Sequence, residues 1–176
     1  MNETLHTILT RRSCRKFLST PVEREKTDRV IEAGLYAASG KNQQSPAIIA
    51  VTNAEVRRRL TEVNAEILGR PGFDPFYGAP VILIVLARTD CPNRQYDGSL
   101  TLGNMMLAAH AEGLGSCWIH RALQTFDRPE WKAWLAEIGI DPSCEYEGVG
   151  QLALGYPDGQ LPTAPPRREG RVYRVD

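Results

Sequence analysis

Ala79-Pro-Val-Ile-Leu-Ile-Val-Leu-Ala87 is an unbroken apolar run with no charge and no polar alternation. A run this long fits a strand covered on both faces, and it is far too short to cross a bilayer. Ala47–Thr52 reads the same way. Between them Asn53 is a suitable N-cap for a helix from Ala54 to about Leu68, followed by a loop or broken helix over Gly69–Gly78 that carries Phe73, Phe76 and Tyr77. Downstream, Tyr96–Glu112 has helical spacing with many small residues and methionines, which predicts burial all round, and Gly113-Leu-Gly115 stops it. Short strands are then expected at Ser116–Ile119 and Glu147–Gly155, with an amphipathic helix at Arg128–Ile138 between them. Upstream, Glu3–Arg12 and Glu23–Ala38 read as helices, and Arg15–Phe17 as extended. Helices and strands therefore alternate unevenly, which predicts an α+β fold with a mixed sheet. From Tyr156 the chain is rich in proline and charge, so residues 156–176 are expected to form an extended arm, with strand propensity at Val172, Tyr173 and Val175.

With 176 residues and 42% hydrophobic content the chain suits one domain with a substantial core. Twenty-one basic residues balance 21 acidic ones, so there is no global charge footprint for nucleic acid or an anionic membrane. The opening residues lack the apolar segment of a secretory leader. The four cysteines, Cys14, Cys91, Cys117 and Cys144, are widely spaced without a CxxC pair. Free thiols in a reducing cytoplasm, with no metal site, are the expectation.

Four segments could carry chemistry. Arg11-Arg12-Ser13-Cys14-Arg15-Lys16-Phe17 offers guanidinium groups and a hydroxyl in one short stretch, which suits a phosphate clamp or equally a solvated basic patch. Ser39–Pro46 brings side-chain amides that donate and accept, matching the edge of a heterocycle, or serves as a polar turn. Gly113–His120 combines small residues with a short strand and leaves room for a flat ligand. Cys117 there sits in apolar surroundings that disfavour a thiolate nucleophile. Gly155-Tyr156-Pro157 with Arg167 and Arg168 could complete a phosphate site from the chain's far end. Rossmann, P-loop, HExxH and GxSxG signatures are missing, so a bound cofactor is a natural source of reactivity.

In order and spacing these segments resemble the nitroreductase family. Arg11-Arg12-Ser13-x-Arg15-x-Phe17 resembles its opening; Ser39, Gly40, Asn42 and Gln44 match its Ser-Gly-x-Asn-x-Gln loop. Ala79-Pro80 matches its strand start, Asp97 through Gly115 its Asp-x6-Asn-x2-Leu-Ala-Ala helix with the closing Gly-Leu-Gly, and Leu154–Pro157 its Leu-Gly-Tyr-Pro. Two positions depart from the family pattern. Ala38 replaces a common proline, and Ser45-Pro46 stands where Pro-Trp often follows, so the flavin surroundings are expected to be altered.

The resemblance implies a mixed sheet flanked by helices, an intertwined homodimer, and FMN at the subunit interface with the C-terminal arm reaching over the partner. It implies phosphate contacts from Arg11, Ser13 and Arg168, with Arg167 nearby, and Arg12 near phosphate or ribityl. Arg15 would lie by the flavin N1/C2=O edge. Ser39, Asn42 and Gln44 would approach the flavin, the two amides from the neighbouring subunit. Backbone of Ser116, Cys117, Trp118 and Ile119 would lie near the ring, and Phe73, Phe76 and Tyr77 would form a substrate lid. It further implies a ping-pong oxidoreductase that takes hydride from NADH or NADPH and reduces a small nitroaromatic, quinone or similar acceptor. Three alternatives remain open on the residues: a related ene-reductase or dehalogenase, a flavin-binding redox sensor or carrier without turnover, and a basic interaction module without flavin. A role for His120 is undecided.

Overall fold

The computed structural model describes all 176 residues. Six helices and four strands follow in the order α1 (Glu3–Thr10), α2 (Arg24–Leu35), β1 (Pro46–Val51), α3 (Ala54–Ile67), β2 (Val81–Arg88), α4 (Arg94–Ala111), β3 (Gly115–Ile119), α5 (Ala122–Phe126), α6 (Pro129–Glu137) and β4 (Tyr146–Gly155). A single 3₁₀ turn covers Gly40–Asn42. The sheet order is β1-β2-β4-β3, and every pairing between these strands is antiparallel. The expected mixed character is confined to one isolated parallel bridge, Ser13 with Ser116.

The uniform apolarity of β2 has a direct structural cause. Ile82, Ile84 and Leu86 point to a core shared with α3, α5 and α6, whereas Val81, Leu83, Val85 and Ala87 point to a second core under α2 and α4. Both faces are covered, so alternation gives way to continuous hydrophobicity. Trp131, Trp134 and Phe126 cluster edge to face beneath the first layer. At its centre a polar group is fully paired: Gln151 Nε2 donates to Asn64 Oδ1 (2.9 Å) and Asn64 Nδ2 to Leu60 O (2.9 Å).

α4 departs from the expectation of burial all round. Leu102, Met105 and Ala109 are buried, while Tyr96 and Leu100 face outward. Small side chains let α2 approach one side of this helix, and Asn104 Nδ2 donates to Ala33 O across that contact (3.0 Å). Nothing in one chain covers the opposite side. α1 likewise buries no residue and exposes Leu5, Ile8 and Leu9. The expected strand at Val172–Val175 does not form; these residues are exposed and irregular, because no sheet edge lies alongside them.

Candidate functional site

Arg11 ends α1 with an extended backbone (ψ 134°), and the chain turns along the free side of β3. Cys14 N donates to Ser116 O (2.9 Å), Leu18 N to Tyr156 O (2.9 Å) and Asp158 N to Lys16 O (3.0 Å). Lys16 and Asp158 add an ion pair at 2.7 Å. The basic segment is thereby stitched to β3 on one side and to the start of the C-terminal arm on the other. A groove of about 270 Å³ runs between Ser13–Lys16 and Pro157–Pro162. Gly115 permits this approach: a Cβ there would stand 2.7 Å from Cys14 Cβ.

The polar groups gathered here are incompletely satisfied. Arg11 Nη1 and Arg12 Nε are buried without a partner. Arg12 otherwise turns back on its own helix, with Nη1 donating to Leu9 O (2.9 Å). Arg11, Ser13 and Arg15 all act on the Cys117 sulfur, yet burial dominates and pushes the Cys117 thiol above its ordinary range. Cys117 is therefore held as a thiol, in line with its apolar setting. Cys14 is raised for the same reason.

His110 extends the cluster. Thr10 Oγ1 donates to His6 O (2.7 Å), so its lone pair accepts from His110 Nε2–H at 2.9 Å. Burial, followed by the charges of Arg11, His6 and Arg12, lowers the His110 pKa below its ordinary 6.5. The unfolded chain then takes up this proton at higher pH than the folded one. Stability should consequently fall as pH drops through 6.5 towards the lower folded-state value, and level off beneath it. His110→Gln should flatten that part of the profile. Urea midpoints measured from pH 8 to pH 5 check this, and an unchanged slope would refute it.

The amide-bearing loop lies elsewhere. Ser39 Oγ accepts from Gln44 N (3.0 Å), and Gln44 Nε2 donates to Asn42 Oδ1 (3.0 Å). Lys41, Asn42 and Gln44 all have positive φ (53°, 53° and 48°), a conformation that non-glycine residues hold only when their surroundings impose it. The loop is anchored at both ends of this stretch: buried Asp97 at the start of α4 accepts through Oδ1 from Gly40 N (3.0 Å), and Ser39 Oγ holds Gln44 N. The loop feeds into Pro46, opposite Ala87 and beside Glu147, whereas Ser116 pairs with Leu154. Strand spacing and rise put the loop and the arginine segment at diagonally opposite corners of the sheet, roughly 25 Å apart. Arg11, Arg12, Ser13, Arg15, Ser116 and Cys117 are thus brought together in one chain, while Ser39, Asn42 and Gln44 are not brought to them. Trp118 and Ile119 follow on the same strand, Trp118 facing the α4 side.

Other expected site residues fare differently. Arg167 donates to Pro165 O within the arm (2.6 Å), and Arg168 is exposed without a partner, so neither joins Arg11 within one chain. Phe76 is 0% exposed and belongs to the core, so it is no part of a lid. It anchors the turn instead, because Asp74 accepts from Phe76 N (2.9 Å), Gly78 N (2.8 Å) and Arg57 Nη2 (2.7 Å). Burial opposes ionisation of Asp74, but these donors outweigh it and hold its pKa below the usual value. Phe73 and Tyr77 remain half-buried at the surface, edge to face with centroids 6.0 Å apart. His120 is exposed. Arg121, which follows β3, lies within electrostatic reach of Cys117 and Tyr77; a single arginine in a chain with many carries no distinguishing signal in the sequence.

The fold and sequence resemble those of known proteins. A nitroreductase from Bacteroides fragilis, solved with bound FMN, superposes with a TM-score of 0.89 at 28% identity over all of both chains. An FMN-dependent nitroreductase from Clostridium difficile gives 0.83 at 27% identity over 99% of each. Among curated sequences, the NADPH-flavin oxidoreductase of Vibrio harveyi is 32% identical over 129 residues, 68% of this chain. The chain spans 54% and 60% of the lengths of two such curated relatives. The nitroreductase family model matches residues 8–156, from the helix before the arginine segment to the tyrosine that opens the arm, and the chain belongs to that family.

Proposed function

We propose that the protein binds FMN and works as an NAD(P)H-dependent flavin oxidoreductase that reduces a small oxidised acceptor such as a nitroaromatic or a quinone. The observation that carries this reading is the pair of buried, unpartnered guanidinium nitrogens on Arg11 and Arg12 beside Ser13. Buried cationic donors without acceptors are unfavourable, and a phosphate monoester supplies the missing oxygens and charge. The residues present therefore fit FMN, which is also what the B. fragilis structure of equal extent contains.

When bound, FMN supplies the hydride-accepting and hydride-donating chemistry. Arg11 and Ser13 would hold its phosphate, Arg12 would flank phosphate or ribityl, and Arg15 would place positive charge at the pyrimidine edge, where reduction builds negative charge. The backbone of Ser116–Ile119 would back the ring. The nicotinamide and then the acceptor would use the same open face in turn, with Phe73 and Tyr77 limiting water there. Asn42, Gln44 and Ser39 are too far from Arg11 in one chain to share a ligand with it, so a second copy would supply them. The outward apolar residues of α1 and α4, Leu5, Ile8, Leu9, Tyr96 and Leu100, support such a homodimer. Residues 1–176 would then act as one FMN-binding unit, with 156–176 as an arm over the partner bringing Arg167 and Arg168 to the phosphate. Four free cysteines suit a reducing cytoplasm.

An absorbance spectrum of the purified protein, followed by anaerobic addition of NADH and then NADPH, tests the reading. Flavin bands that bleach are expected. Bands that persist with both donors would overturn the nicotinamide-linked activity, and absence of flavin after reconstitution with FMN would overturn the cofactor.

A further inference from the structure

Arg121 stands between the end of β3 and the start of α5. Half of the partly buried arginines of this chain have a carboxylate: Arg57 has Asp74 at 2.7 Å, Arg94 has Glu147 at 2.8 Å, Arg128 has Glu66 at 3.0 Å, and Arg88 has Asp90; of the rest, Arg11 and Arg12 belong to the phosphate site proposed above and Arg59 lies over the Trp131 ring. Arg121 has no carboxylate. Its Nε is buried without a partner, and the titratable groups acting on it are Tyr77 and Cys117. Burial lowers its affinity for the proton, and no counter-charge restores it. A cationic N–H buried without an acceptor is unfavourable, and an oxyanion reaching the part of the guanidinium still open to solvent would complete it.

Its two neighbours say where that anion would come from. Cys117 belongs to the strand that would back the flavin ring, so this inference rests on the reading above. Tyr77 belongs to the turn held by Asp74 and pinned in the core by Phe76, and its own φ of 57° lies in the left-handed region. Arg121 thus follows the strand proposed to back the ring, within electrostatic reach of the aromatic turn, and leaves β3 at the end opposite the bridge that holds Ser13.

We propose that Arg121 determines substrate specificity by binding an anionic group, a carboxylate or a phosphate, on a molecule that reacts at this site. The planar fork of a guanidinium pairs with either oxyanion through two parallel hydrogen bonds. Two sources share that chemistry: a carboxylated acceptor, or the 2′-phosphate that distinguishes NADPH from NADH.

The test uses the FMN-loaded protein with Arg121→Gln and Arg121→Lys. Flavin content is read first from the absorbance spectrum. KM is then compared for 4-nitrobenzoate against 4-nitrobenzamide, and for NADPH against NADH; calorimetry gives the dissociation constants of benzoate and of adenosine 2′-phosphate. In Arg121→Gln the anionic member of one pair should weaken at least about tenfold in both KM and binding, its neutral counterpart should be unchanged, and Arg121→Lys should recover part of the loss. The pair that moves identifies the source. If all four substrates and both probes stay within twofold in a variant that keeps its FMN, the proposal is overturned. Equal weakening of charged and neutral partners overturns it too, since that marks a structural role. Wild-type protein that takes up no FMN overturns the underlying reading instead, and is recognised before any substrate is added.

Discussion

Arg11→Ala combined with Ser13→Ala should raise the dissociation constant of FMN by about two to four orders of magnitude while leaving the fold intact. Hydrogen bonds to a charged group are each worth about 1.5–3 kcal/mol, so losing two removes roughly 3–6 kcal/mol of binding. The fold should tolerate the change because neither side chain supports it. Arg11 makes no ion pair, and one of its nitrogens is already buried without a partner. Ser13 holds its place through the backbone bridge to Ser116, and its hydroxyl adds only a weak hydrogen bond to the Cys117 sulfur. Fluorescence titration with FMN and thermal unfolding of the FMN-free protein separate the two effects. Undiminished affinity would mean that the phosphate lies elsewhere. Loss of both affinity and stability would mean that the pair is structural. If the proposed homodimer brings the arm to the phosphate, Arg168→Ala should give a smaller loss of FMN, because the arm does not reach Arg11 within one chain.

The elements most legible in the sequence are those whose neighbours are dictated by period. β2 could be read because continuous apolarity over that length demands two covered faces, and α3 because Asn53 both caps it and accepts from Glu55 N and Val56 N. α5 was not legible: five residues give less than two turns, and Ala122, Thr125 and Phe126 are buried by tertiary packing rather than by a local pattern. The small residues of α4 announced close approach but not from which side. Site residues divide along the same line. Ser39, Asn42 and Gln44 could be named from their motif, yet the loop that holds Lys41 and Gln44 at positive φ is anchored through Gly40 N by Asp97, 57 positions further along the chain. Phe76 was misread as a lid because an aromatic in a Gly- and Pro-rich loop looks the same whether it anchors or gates. Arg121 acquires meaning only from what does not surround it, and that is a property of the fold alone.

Gly148→Ala should be the most destabilising single methyl in the sheet. β4 is irregular here: Val85 pairs with Gly150 and Leu86 with Gly148, so Val149 is an extra residue that bends the strand. The bend drives the chain against the first residue of α5. A Cβ on Gly148 would stand 2.3 Å from both the carbonyl carbon and the oxygen of Ala122. Backbone atoms cannot rotate away, so α5 or β4 must shift as a body, and α5 is tied to the sheet through the buried neighbours of Gln151. Overpacking of this kind costs about 3 kcal/mol or more. In a chain of this length that lowers Tm by about 10 °C. Gly34→Ala is the matched control. Its Cβ would meet Met105 Cγ at 2.7 Å, but a methionine side chain can swing aside, and alanine gains helix propensity in α2. That variant should stay within about 1 kcal/mol of the parent. Because Ala122 adjoins Arg121, Gly148→Ala should also disturb the charged-substrate selectivity proposed for that arginine before it affects FMN retention, which on the proposed reading depends on the Ser116 end of β3. Differential scanning calorimetry with parallel flavin quantification decides the matter. A Tm loss under about 3 °C would show that the β4 bulge is pliant enough to absorb the methyl, and that the contact with α5 does not fix the position of Arg121.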